Sequence, residues 1–104
     1  MSKRLAYLEK ITSEGSKDPF AWYGLALEYR TLGRIDEAIQ TFHTLRDRDP
    51  SYVPMYLMAA QTLDRAGRRD EARTWIGQGI AQAKAKGDDH ALSELSSLLA
   101  ELGG

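Results

Sequence analysis

Apolar residues recur along this chain at intervals of three and four. Trp22, Leu25, Ala26, Tyr29 and Leu32 fall on one face of a helix. Asp18 suits the N-cap of that helix, and Pro19 suits its first turn, where the missing N–H has no partner to lose. Gly33 predicts a left-handed stop. A second stripe, Ile35, Ala38, Ile39, Phe42 and Leu45, should end near Asp49-Pro50, because the residue before a proline is pushed out of helical geometry. A third stripe (Tyr56, Ala59, Ala60, Leu63, Ala66) runs to Gly67, and a fourth (Ala72, Ile76, Gly79, Ile80, Ala83) to Gly87. A fifth carries Leu92, Leu95, Leu98, Leu99 and Leu102 up to Gly103-Gly104, while Leu5, Leu8 and Ile11 mark a shorter N-terminal helix ending near Gly15. No stretch alternates with period two. The pattern predicts an all-α chain of about six helices, with connections short enough to make neighbours antiparallel.

One heptapeptide is written twice. LGRIDEA, from Leu32 to Ala38, and AGRRDEA, from Ala66 to Ala72, agree at five of seven letters and lie 34 residues apart. Aligning residues 19–52 on 53–86 gives six identities: Ala26/60, Gly33/67, Arg34/68, Asp36/70, Glu37/71 and Ala38/72. Five of the six belong to the heptapeptide, and each has a mechanical reading. Glycine supplies positive φ where one helix ends, the two acids complement the positive end of the next helix dipole, and alanine lets two backbones approach. This is the chemistry of a turn built twice.

The chain resembles the tetratricopeptide repeat family, whose period is 34 and whose pattern runs W-x2-L-G-x2-Y, then A-x3-F, then P. The first unit carries Trp22, Leu25, Ala26 in place of the usual glycine, Tyr29, Gly33, Ala38, Phe42 and Pro50 at that spacing. The second is looser, with Tyr56, Ala59, Ala60, Leu63, Gly67, Ala72 and Ile76; Gly79 stands where alanine is usual and Lys84 where proline is usual. Without that proline the fourth helix should run on through AQAKAK. Shifted by two, Leu92, Leu95, Ser96, Leu99 and Gly103 match Trp22, Leu25, Ala26, Tyr29 and Gly33, and the N-terminal helix resembles the second half of an earlier unit. The resemblance implies one domain over 1–104: an N-terminal helix (1–18), repeat one (19–52), repeat two (53–86) and a C-terminal capping helix (87–104). It also implies a right-handed superhelix of antiparallel helix hairpins, with a concave groove lined by first helices. Hairpins of this kind must stack to bury their stripes.

Composition narrows the function classes. At 42% hydrophobic and 28% charged, the chain is within the ordinary soluble range, and a net charge of −1 offers no attraction to nucleic acid or anionic lipid. It has no cysteine, which excludes disulfides and thiolate metal sites, and no apolar run approaches a membrane span. Its start is not that of a signal peptide, so a cytoplasmic location is expected. His43 and His90 are 47 residues apart, on different units, and read as surface histidines rather than metal ligands. Asp36-Glu37 and Asp70-Glu71 are adjacent pairs, whose side chains diverge by about 100° on a helix, so they are helix-start acids and not an acid/base couple. Ser93, Ser96 and Ser97 lack a glycine elbow, and no phosphate loop or zinc motif is present. The chain is therefore read as no enzyme and as needing no cofactor. Arg65, Arg68, Arg69 and Arg73, with Trp75 nearby, could hold phosphate or RNA; the interleaved Asp64, Asp70 and Glu71 favour a solvated turn instead. Trp22, Tyr29, Phe42 and Trp75 read as core aromatics.

The resemblance also says where binding residues would lie. The positions that line the family's groove hold Phe20, Tyr23, Leu27, Arg30 and Thr31 in the first unit, and Pro54, Leu57, Gln61, Asp64 and Arg65 in the second. Phe20, Tyr23, Leu27 and Leu57 would anchor a peptide or helix of a protein partner, with Arg30, Gln61, Asp64 and Arg65 orienting it. Alternatively, Tyr23 and Leu27 are covered by the protein's own terminal helix. Some family members grip the C-terminal carboxylate of heat-shock chaperones with Lys and Asn at these positions. Tyr23 and Leu27 replace them here, so that clamp is not expected. A structural subunit is the other reading, because residues 87–104 contain Asp88, Asp89, Glu94 and Glu101 and no Lys or Arg, and exposed end faces can pair two copies as a homodimer.

Overall fold

The computed structural model describes residues 2–103 and contains six helices: α1 (Lys3–Ser13), α2 (Pro19–Thr31), α3 (Ile35–Arg48), α4 (Pro54–Arg65), α5 (Arg69–Lys86) and α6 (Asp89–Glu101). No strand occurs among the described residues. The chain divides into two compact units, Met1–Asp49 and Pro50–Gly104. In the first, α1 packs on α2 and α2 on α3; in the second, α4 packs on α5, and α6 lies against both.

The local chemistry explains where each helix starts and stops. Asp18 accepts a hydrogen bond from the Phe20 N–H at 3.0 Å, with Pro19 behind it in the first turn. α2 stops in a turn where Gly33 (φ 76°) donates its N–H to Arg30 O and Arg34 donates to Tyr29 O. Gly67 (φ 79°) repeats this, donating to Asp64 O while Arg68 donates to Leu63 O. These paired bonds satisfy carbonyls that a helix end would otherwise leave open. α5 does run on through Lys86, to a left-handed Gly87. The expected stop of α6 is observed at Gly103 (φ 83°); Gly104 lies outside the described residues.

Two stripe assignments need correction. Leu32 is 45% exposed and Ala66 is also exposed, although both continue an apolar spacing. Each is the C-cap residue of its helix, where the backbone leaves the helical path and the periodicity no longer points inward. Leu25, Ala26 and Tyr29 on α2, Ala38, Ile39, Phe42 and Leu45 on α3, and Tyr56, Ala60 and Leu63 on α4 are buried as read, whereas Ile11, Trp22, Ile35, Ile80, Leu92 and Leu99 are only half-buried.

In the second unit, Gly79 marks a close approach between helices. A Cβ built there would stand 2.5 Å from Tyr56 Cβ and 3.0 Å from Leu95 Cδ1. Only a residue without a Cβ admits both neighbours. The room so made lets Tyr56 meet Trp75 at 5.9 Å between ring centroids, tilted by 54°, while its hydroxyl donates to Pro50 O.

Candidate functional site

The repeated heptapeptide carries a contact that the dipole argument missed. Arg34 forks onto Glu37 with Nε–Oε1 at 2.6 Å and Nη2–Oε2 at 2.7 Å, and Arg68 does the same to Glu71 at 2.8 Å in both arms. The glutamate is three residues into the helix from the arginine, so the pair bridges from turn to first helical turn. The arginine's hydrogen bond holds the exposed Glu37 carboxyl below its usual pKa. An R-x-x-E spacing after a glycine was the available signal. Arg34 also lies 4.9 Å over the ring of Tyr29, whose hydroxyl donates to Glu9 Oε2 at 2.6 Å. Burial first, then the Glu9 hydrogen bond and charge, push the Tyr29 phenol up to about 12.

Two other arginines near the turn between α4 and α5 are also engaged. Arg69 lies 3.6 Å from Asp64, and Arg73 pairs with Asp70 at 2.8 Å. Arg73 also donates to the carbonyl of Leu102 at 2.6 Å, supplying from α5 the positive charge that the last turn of α6 lacks. His43 bonds the Arg46 guanidinium, and His90 lies 3.0 Å from Glu94. Among the described residues, no group of three or more His, Cys, Asp or Glu is gathered as a metal would require.

In the first unit, Phe20 is 63% exposed, whereas Tyr23, Leu27 and Arg30 are half-buried. Phe20 stands at an open cleft of about 280 Å³ between α1 and α2, with Tyr7, Leu8, Ile11, Ala21 and Gly24. Tyr7, likewise 63% exposed, is a member that sequence reasoning did not assign. α1 is fixed there by its own polar contacts: Glu28 accepts from the Ser2 hydroxyl at 2.8 Å and pairs with Arg4 at 3.3 Å. At Gly24 a Cβ would make an ordinary contact with Leu8 Cδ2 at 3.5 Å, so the approach of the two helices there does not require glycine. The helix positions that α2 turns to α1, namely Gly24, Leu25, Glu28 and Tyr29, lie on another side from Tyr23, Leu27 and Arg30.

In the second unit, Leu57 and Gln61 line a cleft of about 270 Å³ whose other wall is α6, with Ser93, Glu94, Ser97 and Leu98. Asp64 and Arg65 lie at the end of α4, where Asp64 is occupied by Arg69. Ser93 and Ser97 were legible in principle, because the two-residue shift that matches α6 to α2 puts them in register with Tyr23 and Leu27.

A tetratricopeptide repeat family model matches residues 29–102. The chain belongs to the tetratricopeptide repeat family. This tetratricopeptide repeat protein is 27% identical to a TPR repeat-containing protein of Pseudomonas aeruginosa over 95 residues, covering 91% of this chain and 90% of the relative. It is similar to the crystal structure of a tetratricopeptide repeat domain protein from Salinibacter ruber (33% identity, 84% of this chain and 98% of that one, TM-score 0.78). It is also similar to the solution structure of a protein from Bordetella parapertussis (26% identity, 99% and 90% covered, TM-score 0.83). Repeats of this family are in general protein–protein interaction modules and are generally non-catalytic. No helix among the described residues is long and apolar enough to cross a membrane.

Proposed function

We propose that this protein is a non-catalytic cytoplasmic scaffold that holds a peptide or helix of a partner protein against the first helices of its repeats. The observation that carries the reading is Phe20, a large apolar side chain left 63% exposed at the mouth of a cleft. Burying such a ring on a partner contributes roughly 1.5–3 kcal/mol of hydrophobic free energy, which is enough for an anchor. Tyr23 and Leu27 extend that anchor along α2, and Leu57 with Gln61 offers a second, more polar seat in the α4–α6 cleft. Arg30, Asp64 and Arg65 orient the bound segment by charge. Cross-linked pull-down from the native cell identifies the partner, and calorimetric titration of that partner then tests the assignment. Tyr23→Ala and Leu27→Ala should each weaken binding with helicity retained. Unchanged affinity in both would show that the partner sits elsewhere.

A second reading, a structural subunit that pairs with itself through its terminal helices, is favoured by one observation on α6. Its Leu92 and Leu99 are only half-buried, and Asp89, Glu94 and Glu101 are accompanied by no Lys or Arg. Sedimentation at two concentrations tests it, a monomer at both removing the reading.

A further inference from the structure

α1 and α6 each present half of a contact that the first hairpin makes complete. Displaced by 34 residues, Leu5, Leu8 and Ile11 of α1 fall on Ile39, Phe42 and Leu45 of α3. α6 is α2-like in the same sense, with Leu92, Ser96 and Leu99 in register with Trp22, Ala26 and Tyr29. Where α2 and α3 pack, Ala26 and Ala38 are both 0% exposed. On α6 the corresponding face is open: Ser96 is exposed and its flanking leucines are half-buried. On α1, Leu5 and Leu8 are already buried with Leu25 and Tyr29 of α2, and what stays open beside the cleft is Arg4, Tyr7 and the half-buried Ile11.

We propose that a second copy of this chain seats the Leu92–Ser96–Leu99 face of its α6 in the α1–α2 cleft, head to tail. The proposal rests on the second reading above and gives the pairing a direction. Charge favours this occupant. On the face that docks, α6 brings Asp89, while Glu94 and Glu101 line the α4–α6 cleft instead, and α1 brings Arg4 at the α1–α2 cleft. Asp89 lies seven residues before Ser96, so both are on the face that docks. Arg4 stands in register with Ala38 and lines the cleft together with Asp18; it lies 3.3 Å from Glu28 yet keeps its side chain 64% exposed, which leaves the guanidinium within reach of Asp89 on the docked helix. Arg4 also holds the docked helix further off than α3 lies from α2. Tyr7 and Phe20 fill the wider space. The two surfaces are different patches, so the interface is heterologous, and one copy can take a neighbour in its α1–α2 cleft while offering its α6 to another.

Sedimentation velocity over a concentration series reads the outcome. The wild-type mass should climb with concentration past that of two copies. Tyr7→Glu blocks the cleft and Ser96→Arg blocks α6; both positions are solvent-facing, so circular dichroism should be unchanged. Each variant alone should remain monomeric where the wild type associates, and an equimolar mixture should form a dimer that grows no further. A wild type monomeric at every concentration would overturn both the pairing and its direction. A dimer that survives either substitution, or a mixture that stays monomeric while the wild type associates, would leave pairing standing and overturn the head-to-tail arrangement.

Discussion

Replacing Gly79 by alanine should destabilise the protein, although alanine is the better helix former. The site is inside α5, so the substitution gains about 1 kcal/mol of intrinsic propensity. Against this, the new Cβ would lie 2.5 Å from Tyr56 Cβ, an atom fixed to the α4 backbone and unable to rotate away. Carbon atoms pack at about 3.5–4.0 Å, so α4 and α5 must separate by about 1 Å, loosening Tyr56, Trp75 and Leu95 together. Overpacking of this kind costs about 3 kcal/mol, leaving a net loss of about 2 kcal/mol. Gly77 is the internal control. It is exposed on the same helix, a Cβ there would meet nothing within 4 Å, and Gly77→Ala should therefore stabilise by about 0.5–1 kcal/mol. Thermal unfolding followed by circular dichroism should show Gly79→Ala melting roughly 8–16 °C below the wild type, and Gly77→Ala a few degrees above it. If Gly79→Ala matched or exceeded the wild type, close approach of α4 and α5 would not be what glycine supplies at this position.

Three further outcomes follow from the polar contacts. Tyr29 keeps its proton in the folded protein to about pH 12, whereas in the unfolded chain it ionises near 10. Its contribution to stability is thus complete below the lower value and is lost as pH rises between the two; between about pH 9 and 11.5 the wild type should lose about 2 kcal/mol more than Tyr29→Phe in urea titrations, and equal losses would sink the argument. Arg73→Ala removes the donor to Leu102 O at the end of α6, so amides of its last turn should exchange about five-fold faster, a loss of about 1 kcal/mol; unchanged protection would show that this end needs no cap. Asp18→Ala should cost about 1 kcal/mol in chemical denaturation, and Asp18→Asn much less, because the amide oxygen can still accept from the Phe20 N–H.

The helices were legible because their determinants are local. Asp18 and Pro19 announce the start of α2, Gly33 and Gly67 announce turns, and a run of good helix formers without proline carries α5 to Lys86. The same locality misleads at Leu32 and Ala66, where an apolar letter in the correct register belongs to a cap. Contacts between distant positions were not legible. Nothing near Tyr29 names Glu9, twenty residues earlier, as its acceptor, and nothing near Gly79 names Tyr56 as the reason for a glycine. The candidate binding positions came from resemblance alone. Their surroundings, Tyr7 beside Phe20 and α6 beside Leu57, depend on where the flanking helices lie.

The two tryptophans fall one to each unit, in unlike surroundings. Trp22 is half-buried, donates its indole N–H to Ser16 O at 2.8 Å and lies 4.5 Å beneath the guanidinium of Arg48. Trp75 is 2% exposed, against the ring of Tyr56. The protein therefore carries a natural fluorophore for each half. A Trp22→Phe chain reports the second unit through a blue-shifted, shielded emitter, and a Trp75→Phe chain reports the first through one more open to quenchers. Coincident transitions from the two single-emitter chains would make the repeats one cooperative folding unit, and separated transitions would resolve their individual stabilities without any attached label.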